Sequence, residues 1–227
     1  MKPFIVLNFK AYKESTGKRA VELCKVAKLV SKKTGTRIIC CPQSVDLREC
    51  TRTGVEVFAQ TAEGFEAGAH TGSLIPFAIK DAGATGIMLN HAERKIKKEE
   101  LISIINIARK LSLELIICAA NARELKMAAN LNPDYIAIEP PELIGTGISV
   151  SVAKPQVVIR AIKQVKSIAD IPVLCGAGIS TAKDVKRAIE LGTSGVLLSS
   201  AFVMSSRPKN LLLEMALACM PSIASGK

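Results

Sequence analysis

The chain has 227 residues, with 31 Lys+Arg against 20 Asp+Glu and a formal charge of +11. Its 48% hydrophobic and 22% charged residues are those of an ordinary globular protein. That excludes a disordered chain, and no apolar run reaches the roughly 18 residues of a membrane span. The positive balance points to an anionic partner: nucleic acid, a membrane surface or a phosphorylated metabolite.

Met1 leads almost directly into a strand-like run, so no signal peptide is expected. Eight short apolar runs then recur along the chain: Phe4–Asn8, Arg37–Cys41, Val55–Gln60, Gly86–Asn90, Glu114–Cys118, Tyr135–Glu139, Pro172–Cys175 and Gly195–Ser199. They are rich in Ile, Val and Leu without clean alternation, the pattern of strands buried on both faces in a parallel sheet. Seven are followed by amphipathic stretches expected to be helical: Lys18–Lys33, Val45–Arg52, Lys97–Lys110, Ala122–Ala129, Lys154–Lys166, Ala182–Leu191 and Asn210–Cys219. The segment after the third run is looser and is expected to end in a short helix at Leu74–Asp81. In Lys97–Lys110, Leu101, Ile104, Ile105 and Ala108 fall on one helical face. Thr181 three residues before Asp184 marks a helix start, and Gly192 after Leu191 marks a stop.

Eight βα units at about 28 residues each fit a closed (β/α)8 barrel, somewhat tighter than the usual size of about 250 residues. An open doubly wound sheet would need two edge strands, and no run is markedly shorter or more polar than the rest. No linker or charge block divides the chain, so residues 1–227 read as one barrel domain. The seven cysteines lack any CxxC spacing; Cys40, Cys118 and Cys175 close apolar runs and read as small buried hydrophobes in a reducing cytoplasm.

In such a barrel, functional groups sit at the C-terminal ends of the strands. Asn8, Phe9 and Lys10 end the first strand, and Asn90-His91-Ala92-Glu93-Arg94 end the fourth. A lone histidine is usually structural, but His91 lies between a strand and a helical region. A helix dipole there would disfavour its charged form and leave a neutral hydrogen-bond donor. Glu139 closes the sixth strand, where a buried carboxylate needs either an ion-pair partner or a role as a general base of raised pKa. The following PPELIGTG, with prolines at one end and glycines at the other, suits a lid. Gly176-Ala177-Gly178 and Ser199-Ser200 follow strands seven and eight, where small residues let backbone N–H groups approach a phosphate.

These residues resemble the triosephosphate isomerase family, in particular its short archaeal form, over the whole chain. The carriers are NFK at Asn8–Lys10, NHAER at Asn90–Arg94, AIEPPELIGTG at Ala137–Gly147, CGAGIS at Cys175–Ser180 and GVLLSS at Gly195–Ser200. The resemblance implies a TIM barrel that interconverts glyceraldehyde 3-phosphate and dihydroxyacetone phosphate with no cofactor and no metal. It implies Glu139 as base, His91 as neutral electrophile, and Lys10 stabilising the enediolate with Asn8 and Phe9 beside it. It also implies a phosphate held by Ile144, Gly145, Gly178, Ser199 and Ser200, and Glu93 bridging toward Lys10. Ala92 stands where the common pattern has Ser, Phe9 where it has Trp, and PEL at the lid tip where it has VWA. The shortened helical regions imply a homotetramer, with a dimer as the alternative. A phosphoribosyl isomerase would share the phosphate loops but not Asn8, Lys10 and His91 together. A nucleic-acid-binding protein is disfavoured by scattered basic residues and 4% aromatics with no Trp.

Overall fold

A computed structural model describes residues 1–139 and 155–219. Eight parallel strands close on one another in sequence order: β1 Phe4–Asn8, β2 Ile38–Cys41, β3 Glu56–Ala59, β4 Gly86–Leu89, β5 Glu114–Ala119, β6 Tyr135–Ile138, β7 Val173–Cys175 and β8 Gly195–Leu198. The ring closes through β1 and β8, with Phe4 opposite Gly195 and Leu7 opposite Leu198. The helices among the described residues are α1 Lys18–Thr34, α2 Leu47–Thr51, α3 Pro76–Asp81, α4 Lys98–Lys110, α5 Ala122–Asn130, α6 Pro155–Lys166, α7 Ala182–Glu190, α8 Ser200–Val203 and α9 Pro208–Ala218.

All eight strands are thus where the apolar runs place them, most of them trimmed by a residue or two at an end. The helix expected at Val45–Arg52 splits into a 3-10 turn, Ser44–Asp46, followed by α2. Helix α7 opens on a capping box, in which the Thr181 side chain accepts from the Asp184 N–H and the Asp184 carboxylate accepts from the Thr181 N–H. Its chain is released at Gly192, with φ 94°.

Alternation along the strands divides the core in two. Phe4, Val6, Ile39, Cys41, Phe58, Met88, Ile116, Cys118, Leu174 and Leu197 fill the barrel interior. Ile5, Leu7, Ile38, Cys40, Ile87, Ile117 and Val196 face outward under the helices. At the N-terminal end Arg37 closes the floor: its guanidinium donates to Glu56, to Glu114 and to the Tyr135 hydroxyl at 2.6 Å, and it lies 5.2 Å from the Phe4 ring centre. The floor is therefore structural and the opposite end is left open for chemistry. None of the seven cysteines is in a disulfide, and all are buried. Among the described residues no helix is long and apolar enough to cross a membrane.

Candidate active site

The open end is shaped by sharp backbone turns directly after the strands. Lys10 leaves β1 with φ 49°, a left-handed conformation held by its own N–H donating to Asn8 Oδ1 at 3.0 Å. Gln60 Nε2 adds bonds to the Lys10 and Cys41 carbonyls at 3.0 and 2.8 Å. This turn keeps the lysine at the barrel mouth, where Nζ donates to Glu93 Oε1 at 2.6 Å. Phe9, between them, is fully buried and packs toward Phe202, with its N–H bonded to the Cys41 carbonyl.

His91 follows a second left-handed residue, Asn90, with φ 59°. The imidazole Nδ1 accepts from the Glu93 N–H at 3.1 Å. An accepting Nδ1 puts the proton of the neutral ring on Nε2, and Nε2 lies 3.4 Å from Glu139 Oε1. The histidine pKa is lowered to about 4, first by burial and then by the Lys10 and Lys95 charges, with Glu93 opposing. The helix dipole is not the cause expected from sequence: α4 begins only at Lys98. Burial does the same work, and the ring is a neutral donor at pH 7.

Glu139 is buried to 1% exposure, and neither carboxylate oxygen has a full hydrogen-bond partner among the described residues. No Lys or Arg pairs with it among them. Burial raises its pKa to about 7, while the Cys118 thiol, the charges of Lys10 and Lys95 and the Ala92 backbone pull the other way. Ala92, lacking the usual hydroxyl, thus still meets the carboxylate through its main chain. Gly176 matters for a reason the sequence did not suggest. A Cβ there would sit 2.7 Å from Glu139 Cγ and 3.1 Å from the Ile138 carbonyl, so only glycine lets β7 pass beneath the carboxylate.

A cleft of about 550 Å3 runs from Lys10, His91 and Glu139 to Gly176–Ser180 and Ser199–Ala201. Gly178 turns there with φ 70°, and Ser199 is the N-terminal cap of α8, its hydroxyl buried without a partner among the described residues. An adjoining cleft of about 630 Å3 shares Lys10 and His91 and adds Asn8, Thr61 and Glu93. The structure therefore gathers Asn8, Lys10, His91, Glu93, Glu139, Gly178, Ser199 and Ser200 at one mouth, while Phe9 lines neither cleft. Ile144 and Gly145 lie outside the described residues. Sequence reasoning gave no site role to Cys118, Lys95 or Asn90, although it placed Asn90 at the end of the fourth strand. An asparagine at a strand-to-loop junction was the one available signal, because Asn tolerates the left-handed region. Among the described residues no cluster of His, Cys, Asp or Glu is arranged to hold a metal ion.

A family model for triosephosphate isomerase matches residues 3–215. Curated relatives of that name include those of Methanobacterium bryantii, 43% identical over 94% of this chain and 95% of its own, and Methanothermus fervidus, 44% identical over 94% and 97%. The relative from Methanocaldococcus jannaschii is 45% identical over 93% and 97%. With matches of this extent the chain belongs to the triosephosphate isomerase family.

Proposed function

We propose that Glu139, His91 and Lys10 carry the family's reaction in this chain, the interconversion of D-glyceraldehyde 3-phosphate and dihydroxyacetone phosphate. The chain is an intramolecular aldose–ketose isomerase. Glu139 takes the proton from C2 of the aldose and returns it to C1. His91 Nε2–H donates to the carbonyl and hydroxyl oxygens in turn, and the Lys10 ammonium stabilises the enediolate between the two transfers. Asn8 keeps Lys10 turned toward the mouth, and Glu93 holds the ammonium until substrate arrives. The backbone at Gly178, Ser199 and Ser200, with Ile144 and Gly145, receives the phosphate; in α8 the Phe202 and Val203 N–H groups donate to the Ser199 carbonyl, which leaves those of Ser200 and Ala201 for the anion. Phe9 supports the Asn8–Lys10 turn from the core.

The observation that carries this reading is the pairing of a buried carboxylate, raised to about 7, with a neutral imidazole N–H 3.4 Å away. Such a base is strong enough to take a carbon-bound proton and is half ionised near neutral pH. The test is a coupled assay of D-glyceraldehyde 3-phosphate turnover by wild type and Glu139→Gln. A loss of at least about a thousandfold is expected, and equal activity would remove Glu139 as the base.

The enzyme is assigned to a reducing cytoplasm, in keeping with seven buried cysteines outside any disulfide, and to one barrel domain over residues 1–227. It is also assigned a homotetramer, with a dimer as the alternative; the exposed Val45, Phe65 and Phe77 favour burial between subunits. Light scattering on the eluting protein distinguishes four, two and one copies.

A further inference from the structure

The geometry of the site depends on how the His91 ring is held opposite Glu139, and that is decided one residue earlier. Asn90 is 3% exposed and adopts φ 59°, so β4 ends at Leu89 and the chain swings His91 across the mouth. Three bonds hold this turn. Asn90 Nδ2 donates to the Cys118 carbonyl of β5 at 3.0 Å. Its Oδ1 accepts from the Ile96 N–H at 3.1 Å, closing the loop that carries His91. Its main-chain carbonyl accepts from Lys95 Nζ at 3.3 Å, and that ammonium is tied at 2.7 Å to Glu124 of α5. Glu124 in turn accepts from the Ala120 N–H just after β5, at 2.8 Å.

Cys118 is the shared point. Its carbonyl anchors Asn90, and its thiol lies against the Glu139 carboxylate. One amide side chain therefore ties the turn bearing the proposed electrophile to the strand that flanks the proposed base. Apolar packing alone would hold the strand, but it would not set the imidazole within a few tenths of an ångström.

We infer that Asn90 is a positioning residue for the isomerisation: its Nδ2 bond to the Cys118 carbonyl sets the His91 ring opposite Glu139. The inference rests on the roles proposed above for His91 and Glu139. It is a role in alignment, so it acts on kcat and leaves the phosphate loops after β7 and β8 untouched.

Two variants isolate the bond. Asn90→Gly keeps the left-handed turn and removes both side-chain bonds. Asn90→Asp, assayed at pH 8 as the carboxylate, keeps the turn and the acceptor for Ile96 and sets a charged oxygen against the Cys118 carbonyl in place of the donor. The expected result is a fall in kcat of at least about tenfold in both, with KM within twofold. NMR titration of His91 supplies the second readout. The charged groups facing the ring are Lys10, Glu93, Lys95 and Glu139, and Asn90→Gly changes none of them. A ring freed from its buried setting by Asn90→Gly should titrate at higher pH than in wild type. The inference is overturned if Asn90→Gly keeps kcat within twofold, if Asn90→Asp keeps wild-type kcat, or if the losses come with a parallel change in KM or an unmoved His91 titration. Activity in Glu139→Gln would instead overturn the assignment of the base. A dead Glu139→Gln beside fully active Asn90 variants would overturn this inference alone.

Discussion

Replacing Glu139 by Gln should destroy catalysis and stabilise the fold, by an amount that depends on pH. An unfolded glutamate titrates at about 4.5, whereas Glu139 in the barrel titrates at about 7. Between these values the unfolded chain releases the proton and the folded chain keeps it, so stability falls as pH rises and levels off above about 7. At about 1.4 kcal/mol per tenfold change in proton affinity, ionised Glu139 costs the native state about 3 kcal/mol at pH 8. At pH 4.5 the native carboxyl is protonated and resembles the amide, so that cost has nearly vanished. His91 contributes in the opposite sense: lowered to about 4, it supplies stability above 6.5 that is lost as pH falls toward 4. Glu139 lies 3.4 Å from that ring, so His91 is titrated by NMR in both proteins and its share is subtracted from their difference. The assay is thermal or urea unfolding of wild type and Glu139→Gln at pH 8 and pH 4.5, at one protein concentration. The variant's advantage should be larger at pH 8 by about 3 kcal/mol, or roughly 6–12 °C in Tm for a chain of this size. An advantage equal at both pH values, or a variant weaker at pH 8, would refute the claim that this carboxylate is held buried at a raised pKa.

Three other perturbations test separate parts of the site and scaffold. The kcat/KM profile should rise through a midpoint near pH 7 as Glu139 ionises and level off about one pH unit above it. In Lys10→Met, loss of a cation that favours the carboxylate should move that limb to higher pH, alongside lower activity; a limb unmoved would mean Lys10 does not act on Glu139. Gly176→Ala places a methyl 2.7 Å from Glu139 Cγ, and the displaced carboxylate should cost about a hundredfold in kcat; an unchanged kcat would show that β7 gives way instead. Arg37→Met leaves Glu56 and Glu114 facing each other across the barrel floor, so it should destabilise by about 2–4 kcal/mol while kcat/KM stays within twofold. A stability loss accompanied by an equal loss of activity would show that floor and mouth are coupled.

Much of the architecture was legible because a barrel strand is buried on both faces and leaves an uninterrupted run of Ile, Val and Leu. The ends of those runs then point to Lys10, His91 and Glu139 without further information. The neutrality of His91 was legible but its cause was not, since distance from a helix start is invisible in sequence while burial becomes visible only when the barrel closes. Gly176 was legible as a small residue near a phosphate loop; its contact with Glu139 depends on the β6–β7 register, which places Ile138 beside Cys175. Asn90 and Cys118 are separated by 28 positions, and nothing local to either announces that one will anchor the other. The charge of +11 first suggested any anion. Most of those cations are scattered over the helices; among the described residues Lys10 stands at the mouth with the reacting groups, with Arg94 lining the adjoining cleft and Lys95 acting on His91 and Glu139.

The central claim is that isomerisation proceeds by proton transfer through Glu139. Its most direct test is NMR analysis of D-glyceraldehyde 3-phosphate turnover in D2O. A carboxylate that carries the proton between C2 and C1 exchanges it with solvent, so wild type should deliver dihydroxyacetone phosphate with deuterium on C1 in a substantial fraction of molecules, and Glu139→Gln should deliver almost no product. Rapid product formation with the substrate hydrogen fully retained and no deuterium at C1 would contradict the account.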